Sequence, residues 1–343
     1  MQFLSKKMMP YEIFLLILQT KSSMKNILVI GSTGQIGSEL TMKLRQHYGN
    51  AHVVAGYIEG AEPHGELAES GPKAVTNVLD GEGIARVVKE YGIDTIYNLA
   101  ALLSVVAESK PRLAWQVGID GLWNMLEVAR TEHCAVFTPS SIGSFGLETP
   151  HEMTPQDTIQ RPRTIYGVSK VTTELISDYY HHKYGTDTRS VRFPGIISYV
   201  TPPGGGTTDY AVDIFYYAVR GERFTCPIKA GTRMDMMYMP DALRACIELM
   251  EADPARLIHH NGFNVAAMSF DPDMIYNEIC RHRPEFKMTY DVDPLKQSIA
   301  ESWPDMMDDT CAREEWGWQH QYNLPAMTKD MLEKLEQKMK KEE

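Results

Sequence analysis

Lys25-Asn26-Ile27-Leu28-Val29-Ile30-Gly31-Ser32-Thr33-Gly34-Gln35-Ile36-Gly37 is the segment on which the fold assignment turns. Residues 25–30 form an apolar run without polar alternation, the pattern of a strand buried on both faces of a parallel sheet. Glycines follow at 31, 34 and 37, and the predicted helix over 35–48 then carries Ile36, Leu40 and Leu44 on one face. A strand, a glycine turn and a helix start in this order offer free backbone N–H groups and partial positive charge to an anion, with no Cβ in the way. Three glycines alone also suit a plain strand-to-helix turn; their placement favours a dinucleotide pyrophosphate site. Its candidate residues are Gly31, Thr33, Gly34, Gln35, Ile36 and Gly37.

Outward from this segment, β-rich runs alternate with helical ones. Strands are expected at 52–55, 74–78, 95–100, 135–139 and 188–193, and helices at 83–91 and 166–184. A long helix before 135 should bury a stripe of Leu113, Val117, Leu122, Met125 and Val128. The predicted class is α/β: a Rossmann-like, doubly wound parallel sheet over 24–194. After Pro194 the rhythm breaks at Pro202-Pro203-Gly204-Gly205-Gly206, and a smaller C-terminal substrate lobe is expected over 195–326. From it, a strand at 263–265 should return to the main sheet. A helical tail over 327–343 places Met331, Leu335 and Met339 in register, and a solvated, frayed end is the other reading.

Composition narrows the function. With 43% hydrophobic and 23% charged residues, the 343-residue chain has a globular composition. Its 34 Lys+Arg against 45 Asp+Glu give a net charge of −11, which repels nucleic-acid phosphates and argues against that class of partner. Cys134, Cys226, Cys246, Cys280 and Cys311 are odd in number, scattered and without a C-x-x-C pair, so neither a disulfide framework nor a metal site is expected. A reducing, cytoplasmic location follows. The apolar run at 13–18 is far shorter than the roughly 20 residues of a membrane span. Residues 1–23 read either as an extension upstream of Met24 or as a leader to the mitochondrial matrix. Lys6 and Lys7 favour the leader, and Glu12 and the lack of Arg oppose it.

At the end of the second strand, where an acid ordinarily receives the adenosine ribose, the chain reads Ala55-Gly56-Tyr57, and Glu59 is the next carboxylate. No Arg or Lys lies between Gly49 and Glu66 to take a 2′-phosphate, which favours NAD over NADP. Tyr166-Gly167-Val168-Ser169-Lys170 puts a phenol and an ammonium one helical turn apart. A cation about 4 Å from the phenol is worth roughly 4 kcal/mol at an effective dielectric near 20, enough to bring the phenolate toward neutral pH. Such pairs are common on surface helices. Ser140-Ser141, at the C-terminal end of a strand where open α/β sheets bind ligands, makes Tyr166, Lys170 and Ser141 a candidate catalytic set.

The glycine loop, Asn98-Leu99-Ala100-Ala101, the serine after the fifth strand and Tyr166-x-x-x-Lys170 together resemble the extended short-chain dehydrogenase/reductase family, which includes nucleotide-sugar epimerases. The resemblance runs from Met24 to about Asn323. It implies that Tyr166 is the acid/base, that Lys170 lowers its pKa and binds the nicotinamide ribose, and that Ser141 orients the substrate hydroxyl. Leu99, Ala100, Ala101 and Pro194 are further candidates against the cofactor. An Asp after the third strand often holds the adenine in that family; Asn77 stands at the position, and Asp80 is the nearby candidate.

Segments 189–198, 203–211, 236–241 and 302–305 are similar to the short-chain L-threonine 3-dehydrogenases within that family. This implies NAD-dependent oxidation of the threonine 3-hydroxyl to 2-amino-3-oxobutanoate, the first step of threonine degradation to glycine, and a homodimer. For a zwitterionic substrate, N–H groups around Gly205, Gly206 and Thr207 are expected to form an anion nest, with Ser104 adding a hydroxyl and Trp303 covering the site. Ser104 as a helix cap and Trp303 as a packed aromatic are the structural alternatives. The competing functions are a nucleotide-sugar epimerase or dehydratase and a non-catalytic dinucleotide sensor. Against the first, the loop 202–211 carries no basic group for a diphosphate.

Overall fold

The computed structural model describes residues 24–202, 204 and 206–342; the expected leader or extension and Gly205 lie outside the described residues. Strand β1 (Ile27–Ile30) is buried throughout and leads into helix α1 (Gln35–Tyr48). There follow β2 (Val53–Tyr57), β3 (Lys73–Val75), α2 (Gly81–Tyr91), β4 (Thr95–Asn98), α3 (Gly121–Glu132), β5 (Ala135–Phe137), β6 (Ser140–Ser141), α4 (Ile165–Tyr184) and β7 (Thr188–Arg189). Six of these strands form one parallel sheet in the order β3-β2-β1-β4-β5-β7. The chain reverses its winding between β1 and β4, so a crevice opens beyond the carboxyl ends of those strands. Apolar layers cover both faces: Leu28, Ile30, Ile96 and Leu126 belong to one, and Ile27, Val29, Val53 and Leu44 to the other, which continues into the second lobe.

The helix expected before β5 is broken. One helix runs Ser104–Ser109, Pro111 starts another over Pro111–Trp115, and a π turn at Gln116–Asp120 leads into α3. The wider turn slips the helical register. Leu122, Met125 and Val128 are therefore buried as expected, whereas Leu113 is 41% exposed and Ala114 takes the inward position.

The strand expected at 188–193 is also split. Ser190 donates to the His260 carbonyl and accepts from the Phe263 amide, both at 3.0 Å, which carries the chain out of the main sheet. Beyond it, β8 (Val191–Phe193) lies between β6 and β12 (Phe263–Asn264) in a separate three-stranded parallel sheet. The strand near 263 thus joins β8, not the six-stranded sheet as expected.

The remaining elements after Pro194 include β9 (Gly195–Ile197), α5 (Tyr210–Arg220), β10 (Phe224–Cys226), β11 (Met234–Tyr238), α6 (Met239–Glu251), β13 (Met268–Phe270), α7 (Pro272–His282), β14 (Met288–Tyr290) and α8 (Leu324–Glu342). Helix α8 packs against α5 and α7 and buries Met327, Met331, Leu332 and Leu335, so the closing segment is an amphipathic helix. All five cysteines are free thiols. No helix among the described residues is long and apolar enough to cross a membrane.

Candidate active site

The loop between β1 and α1 is shaped by close backbone approach. The amides of Gly31 and Ser32 donate to the Gly56 carbonyl at 3.1 and 3.0 Å, and Gly31 adopts φ +79°. A Cβ on Gly37 would sit 2.1 Å from the Gly31 carbonyl oxygen, so only glycine lets the first turn of α1 close onto the loop. The opening amides of α1 then face a cavity of about 470 Å³ at the carboxyl end of the sheet.

Most of the expected site residues meet around this cavity. Gly31, Thr33, Gly34, Gln35, Ile36 and Gly37 form one side, with Leu99, Ala101 and Pro194 beside them. Tyr166, Lys170 and Ser141 form another, and Ser104, Gly206, Thr207 and Trp303 close the side toward the second lobe. Ala100 lines a small adjoining cleft with Thr138 and Lys170. Asp80 is placed elsewhere. Its carboxylate caps α2 by accepting the Gly83 amide at 2.9 Å, and it lines neither space.

Helix α4 starts on Thr164, whose hydroxyl accepts the Gly167 amide at 3.0 Å, and this fixes Tyr166 and Lys170 on the cavity side. Tyr166 hydrogen-bonds with the Ser141 hydroxyl, which also accepts the Gly143 amide at 3.1 Å. Lys170 is buried; its Nζ donates to the Pro139 carbonyl at 2.7 Å and stands 5.5 Å from the centre of the Tyr166 ring. This geometry corrects the expected lowering of the Tyr166 pKa. Burial pushes the phenol up, opposed by the Ser141 hydrogen bond. Burial also pushes Lys170 down to about 8, with Glu174 opposing.

Of the expected anion nest, Gly205 lies outside the described residues. The Gly206 amide donates to the Asp209 carboxylate at 2.8 Å, so that N–H already has an anion of the chain's own. The Ser104 and Thr207 hydroxyls are 3.3 Å apart, linking the segment after β4 to the one before α5. Trp303 is buried in the wall of the cavity.

Some lining residues escaped sequence reasoning. Asp209 is the only acid and Lys170 the only cation among the described residues around the cavity. The place of Asp209 at the end of the glycine loop was the available signal. His259, Cys311 and Glu315 also come together, but none lines the cavity. Glu315 there accepts the His259 ring nitrogen and the amides of Ile258 and His259, which accounts for the cluster without an ion.

A dinucleotide fits these residues at its phosphate and nicotinamide ends. The α1 amides face the cavity, and the Thr138 hydroxyl, in the cleft with Lys170, is buried without a protein partner. At the adenosine end, a Cβ on Gly56 would lie 2.5 Å from Thr76 Oγ1 and 2.9 Å from the Val29 carbonyl, so the usual acid has no room.

The model of the NAD dependent epimerase/dehydratase family matches residues 27–266. The chain belongs to this family. An uncharacterized epimerase/dehydratase of Staphylococcus aureus is 51% identical over 315 residues, covering 92% of this chain and 98% of that one. Within the extended short-chain dehydrogenase/reductase scaffold that the family shares, solved structures give a narrower likeness. The L-threonine dehydrogenase of Clostridium difficile aligns with a TM-score of 0.89 and 54% identity over 92% of this chain and 98% of its own. The L-threonine dehydrogenase of Cupriavidus necator in its holo form aligns at 0.87 and 46%, over 90% and 99%.

Proposed function

We propose that this protein is an NAD-dependent L-threonine 3-dehydrogenase that oxidises the 3-hydroxyl to 2-amino-3-oxobutanoate. The observation that carries the reading is the meeting of Tyr166, Ser141 and Lys170 in a cavity whose lining, among the described residues, has no cation but Lys170. Such a wall suits a dinucleotide beside a small zwitterion. It offers little to the second diphosphate of a nucleotide sugar. The near full-length likeness to threonine dehydrogenases supports the same substrate.

In this reading the glycine loop and the α1 amides hold the pyrophosphate, with Leu99, Ala100, Ala101 and Pro194 along the cofactor and Lys170 toward its ribose. Bound NAD supplies the hydride acceptor and adds positive charge to the cavity. Ser141 holds the substrate oxygen, and Tyr166 takes its proton as the hydride leaves the same carbon. Added positive charge offsets the burial that holds the Tyr166 phenol up in the ligand-free geometry. Thr207 and Ser104 offer hydroxyls to the substrate carboxylate, and Trp303 excludes water. Asp80, spent as a helix cap, has no part in this account. The protein acts as a homodimer through the exposed apolar face of α3 and α4, where Trp123 is 48% and Leu175 62% exposed.

Incubating the purified protein with NAD and L-threonine, and separately with UDP-galactose, tests the reading. Threonine-dependent NADH formation supports it. Sugar conversion without NADH formation would replace it with the epimerase reading, and binding of NADH without either reaction would leave a sensor.

A further inference from the structure

Behind the Tyr-Ser-Lys set lies a buried polar network. Glu174, 4% exposed, is one turn beyond Lys170 on α4. Its Oε1 accepts the Ser140 hydroxyl and Arg192 Nε, the latter at 3.0 Å; its Oε2 accepts Arg192 and Gln160, both at 2.8 Å. Arg192, on β8, also donates to the Gln156 carbonyl at 2.8 Å and to Asn264 Oδ1 at 3.0 Å.

An ion pair at this depth is a poor route to stability, since desolvating both charges costs about as much as their attraction returns. Its placement suggests another use. Ser140 is the neighbour of Ser141 on the two-residue strand β6, and the Ser140 hydroxyl is anchored on the same carboxylate that stands a turn from the Lys170 ammonium.

We infer that Glu174 is a positioning residue for the proposed threonine oxidation: it locks β6 so that Ser141 meets Tyr166, and its negative charge keeps Lys170 protonated. The inference rests on the reading of the site given above. Tyr166 and Glu174 are the titratable groups of α4 that flank Lys170, and Arg192 answers Glu174 from β8. Glu108, Arg112 and Asp120, on the segments packed against α4, are exposed, and Glu127 on α3 pairs with Arg130. Glu174 is also the charge that opposes the effect of burial on Lys170, whose pKa is already down to about 8. A neutral amine would give the phenolate no Coulombic support.

Removing one partner of a buried pair strands the other, so the informative variant removes both charges: Glu174→Gln with Arg192→Met. Ser140→Ala is its complement, deleting the anchor while keeping the charge. The first readout is the pH dependence of acetic anhydride labelling at Lys170 in the full chain, followed by mass spectrometry, which needs no turnover. In the double variant the labelling midpoint is expected about one pH unit lower, and the alkaline limb of kcat for threonine oxidation should move down with it. In Ser140→Ala the midpoint should stay, while kcat falls about tenfold with little change in the KM for threonine. An unmoved midpoint in the double variant, or an equal loss of kcat at every pH, would overturn the inference. If the wild-type protein fails to oxidise threonine yet the midpoint moves, the substrate reading falls and the hold of Glu174 on Lys170 stands.

Discussion

The Lys170 ammonium donates to the Pro139 carbonyl at 2.7 Å, tying the middle of one turn of α4 to the end of β5 that leads into Ser140 and Ser141. One cation thereby fixes the distance between the helix bearing Tyr166 and the strand bearing its hydroxyl partner. Lys170→Met leaves that carbonyl without its donor and the cavity without its cation. Both NADH affinity and kcat should fall, kcat by at least about a hundredfold. Fluorescence titration with NADH alongside steady-state kinetics checks this, and unchanged values in either would detach Lys170 from that role.

Tyr166→Phe removes an oxygen and preserves the ring against Gly143, where an added Cβ would lie 3.0 Å from the tyrosine ring. NADH binding should change little, while turnover drops by about two to four orders of magnitude, the usual worth of a positioned acid/base. Near-normal turnover would remove the phenol from the chemistry.

Gly37→Ala forces a methyl to 2.1 Å from the Gly31 carbonyl, a backbone atom that cannot swing aside. The loop must open, at a cost of about 1–3 kcal/mol in stability, and the pyrophosphate cradle opens with it. Urea denaturation and NADH titration should report both losses together. A variant that is stable but cannot bind NADH would show that the glycine serves the ligand alone.

Asp235 is fully buried on β11, accepts the Met307 amide at 3.0 Å, and has its carboxyl pKa pushed up to about 8, chiefly by burial. Because the folded value lies above the ordinary 3.8, the fold favours the protonated acid. The stability this gives is complete below the unfolded pKa and is lost as pH rises toward the folded value. Between pH 6 and 8 the unfolding free energy should therefore decline by up to about 1.4 kcal/mol per pH unit relative to Asp235→Asn. Parallel urea titrations across that range compare the slopes; equal slopes would contradict the assignment.

Leu175, 62% exposed on α4, lies on the face proposed for the homodimer, to which α3 adds Trp123, packed edge-on against Tyr180 of α4. Leu175→Glu should convert the dimer to a monomer in sedimentation velocity without altering the far-UV circular dichroism. A wild-type protein sedimenting as a monomer would remove the interface.

What could be read from the chain was what is local in it. The run from Ile27 to Gly37 encodes a strand, a turn and a helix within a dozen residues, and Tyr166 and Lys170 share a helix face by spacing alone. Tertiary partners were not legible. Nothing near Leu113 announces the π turn that rotates it to the surface, and the break at Ser190 depends on His260 and Phe263, some seventy residues away. Asp209 sits three residues after Gly206, so its capture of that amide was within reach of an Asx-type reading. The expected acidity of Tyr166 was not met because a helical spacing says that two groups are close, and leaves open how deeply the fold buries the phenol.

In the proposed oxidation the hydrogen on C3 of threonine leaves as hydride while Tyr166 takes the hydroxyl proton. L-Threonine deuterated at C3, incubated with NAD and the protein, tests it through the mass of the reduced cofactor. The expected result is NADH heavier by one deuterium, formed in proportion to 2-amino-3-oxobutanoate and nearly lost in Tyr166→Phe. Unlabelled NADH, or none at all with native protein that binds the cofactor, would contradict it.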